Sequence, residues 1–107
     1  MTKKRHKKIL AATKWYRMLN SKVFSRSKNA WMKAWVNAYI GRKLKKRDFR
    51  TLWTTRINNA VRLEGLNYSA FINLLYKKKI WLNRKVLSNM AVSHPQVFKN
   101  IVSIAKS

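Results

Sequence analysis

The sequence predicts an all-α protein, in which a long basic helical extension (residues 1–48) precedes a small domain of about four short helices (residues 49–107). Three observations carry this. The chain has one Pro and two Gly in 107 residues, so little interrupts a helix. From Phe49 onward apolar residues recur at spacings of three and four, the period of a helix with one buried face. The charge is also lopsided. There are 26 Lys and Arg against two acidic residues, a formal net charge of +24, and 17 of the 26 lie in residues 1–50. Self-repulsion on that scale calls for a polyanionic partner. The more charged half is also the half with the poorer core pattern.

Residues 2–8 hold five cations in seven positions. Lys3, Lys4, Arg5, Lys7 and Lys8 are expected to contact phosphate rather than form a merely solvated tail. His6, inside this run, reads as a neutral hydrogen-bonder or RNA contact rather than a metal ligand. From Lys14 to Arg47 there is no Pro, and Gly41 is the one Gly. One long helix or two in tandem is expected, with a bend near Asn20-Ser21 or Gly41. On a helical wheel Phe24, Trp31, Trp35 and Ala38 share one side, and Lys22, Arg26 and Lys33 lie roughly opposite. Met32, Val36, Tyr39 and Ile40 spread apolar surface around the rest. A helix apolar on most sides usually lies in a protein core or a membrane. This one is too cationic for either. It suits a groove of folded RNA, with rings on bases or sugars and cations on phosphates. For Trp31 and Trp35, docking on the C-terminal domain or on another protein is the equal alternative.

The basic run Lys45-Lys46-Arg47-Asp48-Phe49-Arg50 leads directly into the clearest helix. Phe49, Leu52, Trp53, Ile57, Ala60, Val61 and Leu63 cover about half its wheel, and Gly65 supplies a left-handed stop. Arg56 falls inside the apolar arc. Either its stem packs while its guanidinium reaches the rim, or it crosses the domain edge to a phosphate. Asn67 is an N-cap for a helix whose stripe is Tyr68, Phe71, Ile72 and Leu75. Lys77-Lys78-Lys79 closes that helix, complementing its dipole and offering a phosphate site. Ile80-Trp81-Leu82 is a short apolar connection, and Asn83 caps a third helix with Val86, Leu87 and Met90 inward. The last helix opens at His94-Pro95. Its apolar face is Val97, Phe98, Ile101, Val102, Ile104 and Ala105.

Several classes of chemistry lack their residues. Cysteine is absent, so there is no disulfide or thiolate chemistry. Asp48 and Glu64 are the two carboxylates, His6 and His94 lie in different halves, and no Gly-rich phosphate loop or metal-ligand spacing occurs. No enzyme, metal, cofactor or small-molecule substrate is expected. No apolar run approaches the ~18 residues of a membrane span, and Ile9-Leu10-Ala11-Ala12 is too short for a signal-peptide core.

From residue 5 onward the chain resembles the large-subunit ribosomal protein L20 family of bacteria and organelles. The resemblance rests on Arg5-His6-Lys7-Lys8-Ile9-Leu10, Lys46-Arg47-Asp48-Phe49-Arg50 with Leu52-Trp53, and Arg56-Ile57-Asn58. It continues through Gly65-Leu66-Asn67-Tyr68-Ser69, Phe71-Ile72 and Leu82-Asn83-Arg84-Lys85 with Leu87, to Pro95 and Phe98. It implies a helical extension threaded into large-subunit ribosomal RNA, a C-terminal domain seated on an RNA junction, a part in early subunit assembly, and neighbouring ribosomal proteins as partners. Autorepression through messenger RNA, found in some bacterial members, is not carried by these residues. There are departures. The basic stretch before Arg5 is shorter than usual, glycines expected near Trp15 and Met18 are replaced, and Gly41 stands for an acidic residue. Leu74 stands for a glycine, and its extra apolar surface is expected to face a neighbouring protein. The excess of Lys over Arg (17 to 9) and ten Asn point to an A+T-rich genome. The ribosome of a plastid stroma is the expected location, with the bacterial cytoplasm or mitochondrion as alternatives.

The expected RNA contacts follow the chain. After the N-terminal run come Lys14, Arg17, Lys22, Arg26, Lys28 and Lys33, then Arg42, Lys43, Lys45, Lys46, Arg47 and Arg50. In the domain they are Trp53, Arg56, Asn58, Arg62, Tyr68, Ser69, Lys77, Lys78, Arg84 and Lys85. Two rival readings exist. In a DNA-binding or architectural protein, helices 49–63 and 67–79 would form a helix-turn-helix-like unit. In a membrane-active cationic protein, the aromatics of residues 14–40 would gather on one face, and they do not.

Overall fold

The computed structural model describes residues 2–107, so the first residue of the expected arm lies outside it. The described residues form five helices and no strand. These are α1 (Thr2–Ala12), a 3-10 turn (Met18–Ser21), α2 (Phe24–Leu63), α3 (Tyr68–Lys77), α4 (Arg84–Ser93) and α5 (Pro95–Lys106). The all-α prediction, with a long basic helix ahead of shorter ones, is the architecture adopted. The chain divides into two compact units, one ending at Leu44 and the other running Lys45–Ser107.

In the first unit the chain changes direction between Thr13 and Val23. Thr13 is fully buried, and its hydroxyl donates back to the Ile9 carbonyl at 3.1 Å, ending α1. Met18 then takes φ +54, the left-handed region that favours glycine, close to where the resemblance leads one to expect a glycine. A side chain there costs roughly 1–2 kcal/mol. The turn is held by Ser21, which donates to the Met18 carbonyl at 3.0 Å, and by buried Ser27, which donates to the Asn20 carbonyl at 2.7 Å. The expected change of direction at Asn20-Ser21 is therefore present, but as a break rather than a bend. Where the sequence predicts helix from Lys14, residues 13–23 form turns and the 3-10 segment, and α2 begins only at Phe24. The alternative bend at Gly41 does not form, because Gly41 lies inside the unbroken α2. A single glycine costs a helix about 1 kcal/mol, too little to break one this long.

In the second unit every cap read from the sequence is formed. Gly65 has φ +76, and the Leu66 amide donates to the Val61 carbonyl at 3.0 Å, a Schellman closure of α2. Asn67 Oδ1 accepts from the Ala70 amide at 3.1 Å, and Asn83 Oδ1 accepts from the Val86 amide at 2.8 Å. Pro95 opens α5. The core is Ile57, Val61, Phe71, Leu75, Leu87, Phe98, Val102 and Ala105, with Phe71 and Phe98 tilted at 53° and 5.8 Å apart.

The buried faces are narrower than the sequence stripes. Leu63 is 85% exposed, and Phe49, Leu52, Val97 and Ile104 are also exposed. A small core covers only the centre of each amphipathic arc. Leu74, expected to face another protein, packs partly buried against this unit's own core. On α4, Leu87 is buried, but so is Ser88, whose hydroxyl has no hydrogen-bond partner. The Lys106 ammonium donates to the Glu64 carbonyl, and Lys99 lies 3.8 Å from the Glu64 carboxylate, tying α5 to the end of α2.

Candidate nucleic-acid interface

The cations are presented rather than neutralised. Among the described residues one ion pair forms, Lys99 with Glu64, against 26 Lys and Arg in the chain. Lys3, Lys4, Arg5, Lys7 and Lys8 are exposed along α1, and Lys14, Arg17, Lys22, Arg26, Lys28 and Lys33 are exposed after it. Arg42, Lys43 and Lys45 continue the series on α2. Lys46, Arg47 and Arg50 converge with Thr51 on one concavity of about 360 Å³. Residues one turn apart share a helix face, which is why the basic block makes a patch rather than a ring. Arg56, Arg62, Lys77, Lys78 and Lys85 are exposed on the second unit. Arg56 thus reaches solvent, although its neighbour Ile57 is fully buried.

Aromatic rings lie among these cations. Trp31 and Trp35 stack on each other at 5.3 Å, and Trp35 remains 68% exposed. With Met32, Val36, Tyr39 and Arg42, Trp35 lines an open concavity of about 530 Å³. Lys43 sits 4.6 Å above the Tyr39 ring, and Lys14 sits 5.4 Å from Trp15. Exposed rings flanked by ammonium groups suit stacked bases and adjoining phosphates.

Other expected contacts have partners within the chain. His6 stacks on Phe24 at 3.8 Å and 21°, which holds α1 against the start of α2. Trp53 is half-buried, 6.1 Å from Phe49. Asn58 Oδ1 accepts from the Tyr68 amide at 3.2 Å, joining α2 to the first turn of α3. Ser69 donates to Asn67 Oδ1 at 3.4 Å. The Tyr68 hydroxyl accepts from Arg84 Nε at 2.8 Å, which fixes the guanidinium and leaves its terminal amino groups for an anion. Tyr76 and Trp81, neither of them among the expected RNA contacts, meet edge to face beside Arg84. The available signal was a tryptophan in a connection, directly after three lysines. Among the described residues no group of three His, Cys, Asp or Glu gathers, and no helix is long and apolar enough to cross a membrane.

A family model described as "Ribosomal protein L20" matches residues 1–101. The chain belongs to the ribosomal protein L20 family. The large ribosomal subunit protein bL20 of Caldanaerobacter subterraneus subsp. tengcongensis is 53% identical over 99% of this chain and 89% of its own length. The bL20c protein of Guillardia theta is 51% identical over 97% of this chain and 91% of its own length. The bL20 protein of Clostridium botulinum strain Hall is 47% identical over 97% and 87%. The family is one of ribosomal proteins, and these relatives are named as proteins of the large ribosomal subunit.

Proposed function

We propose that this L20-family chain binds large-subunit ribosomal RNA directly and supports early assembly of the subunit. The observation that carries the reading is the row of exposed cations, with almost no acidic partners, interleaved with exposed aromatic rings. Phosphate neutralisation supplies affinity, and ring stacking favours unpaired bases over a uniform duplex. Lys46, Arg47 and Arg50 form one phosphate contact, and Arg84 and Lys85 on α4 form a second. The protein acts by holding RNA rather than by catalysis, and needs no cofactor, metal or small-molecule substrate. Neighbouring large-subunit proteins complete its surroundings.

The excess of Lys over Arg and the ten Asn support a plastid ribosome as its location. Its similarity to the Guillardia theta bL20c is close to its similarity to bacterial bL20 proteins, so composition carries that part of the reading. Mass spectrometry of purified plastid ribosomes checks it. Absence of this chain from them would refute the location.

Binding of the full chain to large-subunit RNA fragments, measured over a salt series against duplex DNA of equal length, tests the main proposal. Selective binding to one fragment that survives moderate salt is expected. Equal and steeply salt-sensitive binding to both polymers would mean that charge alone acts, and would remove the specific reading.

A further inference from the structure

The end of α3 holds a feature that phosphate binding does not use. Lys79 adopts φ +56, and the Ile80 amide returns to the Leu75 carbonyl at 3.0 Å. This tight left-handed turn folds the following connection back over the helix. Ile80 packs on the core, and Trp81 meets Tyr76 edge to face, with centroids 5.5 Å apart at 74°. The two rings wall a cavity of about 330 Å³, which Ile72, Leu75, Ile80 and Arg84 also line. That volume is at the lower end of the ~300–1,000 Å³ usual for small-ligand sites. Trp81 is nevertheless 75% exposed.

Charge selects the occupant. Arg84 is oriented by Tyr68, and Lys77, Lys78 and Lys79 precede the cavity in sequence, all exposed. Neither Asp48 nor Glu64 lines it. An apolar floor and two π-systems ask for a flat ring, and the guanidinium asks for an anion attached to it. We propose that this cavity takes one unpaired base of a single-stranded RNA segment, stacked on the exposed Trp81 ring with Tyr76 bracing that ring edge to face, and with the adjoining phosphate on Arg84. The inference rests on the RNA-binding reading and adds to it a base-recognition site.

The test uses the full chain and two probes, a six-residue oligoadenylate and its abasic counterpart with the same phosphates. The Trp81 indole N–H resonance, assigned by its loss in W81F, reports contact. The oligoadenylate is expected to shift it, and the abasic probe to leave it in place at equal concentration. Stacking on one aromatic ring corresponds to roughly a five- to hundredfold change in affinity. W81A and Y76A should each weaken oligoadenylate binding within that range, while W81F keeps most of it. Circular dichroism verifies folding, and Y76A decides the matter if W81A alone unfolds. Unchanged affinity in both alanine variants overturns the proposal. So does an equal shift from the abasic probe, or a Trp81 crosslink to protein in the assembled subunit. If the chain binds ribosomal RNA and the oligoadenylate leaves Trp81 unmoved, only the pocket inference fails. If it binds no ribosomal RNA, the underlying reading fails as well.

Discussion

Phe71 and Leu63 look alike in the sequence, since each belongs to an apolar helical stripe. The structure separates them: Phe71 is fully buried against Phe98, and Leu63 is 85% exposed. Phe71→Ala removes a large buried ring and leaves a cavity, a loss of about 3–5 kcal/mol. Some 0.5–1.5 kcal/mol of that comes from the pairing with Phe98. The unit Lys45–Ser107 is about 60 residues long, and at ~0.05–0.15 kcal/mol per residue its total stability is roughly 3–9 kcal/mol. The substitution therefore removes a third of that stability at the least, and all of it at the low end. With about 4–8 °C lost per kcal/mol in a domain this size, the melting midpoint should fall by at least ~12 °C. Leu63→Ala should stay within about 0.5 kcal/mol of wild type. Thermal and urea melts of the full chain, followed by circular dichroism at 222 nm, make the comparison. An unchanged Phe71→Ala melt, or a Leu63→Ala melt shifted as far, would refute the assigned packing.

Three further outcomes are expected. Ser88→Ala removes a buried hydroxyl without a partner and should raise stability by about 1 kcal/mol; a destabilised variant in a urea melt would show that the hydroxyl is satisfied. Lys79→Gly relieves the left-handed backbone and should also add about 1 kcal/mol, whereas Lys79→Ala, which keeps the strain, should not. Arg56→Ala and Arg84→Ala should each weaken binding to the ribosomal RNA fragment and lower its log–log salt slope by about 1, with helicity near normal. Loss of helicity in either variant would make that arginine's role structural.

What the sequence determined by itself is local. Asn67, Asn83, Pro95 and Gly65 mark their helix ends because each acts on amides or carbonyls within a few residues, whatever lies elsewhere in the fold. Phe71, Leu75, Leu87, Phe98 and Val102 were legible as core because periodicity fixes the centre of each buried face. The charge imbalance is likewise legible without geometry, and it is the ground on which a polyanionic partner is proposed. Tertiary structure decided the rest. The edges of the stripes, such as Leu63, Val97 and Ile104, stay exposed because burial depends on how far a neighbouring helix reaches. Leu74 turns to its own core for the same reason. Arg84 finds Tyr68 sixteen residues away, and Asn58 finds the Tyr68 amide ten residues away. The Tyr76–Trp81 pair exists because Lys79 takes a left-handed turn that glycine would favour. Contacts that depend on distant chain segments or on a strained residue leave no periodic signal, so sequence pattern finds the helices and their charge while the fold alone assembles the cavity.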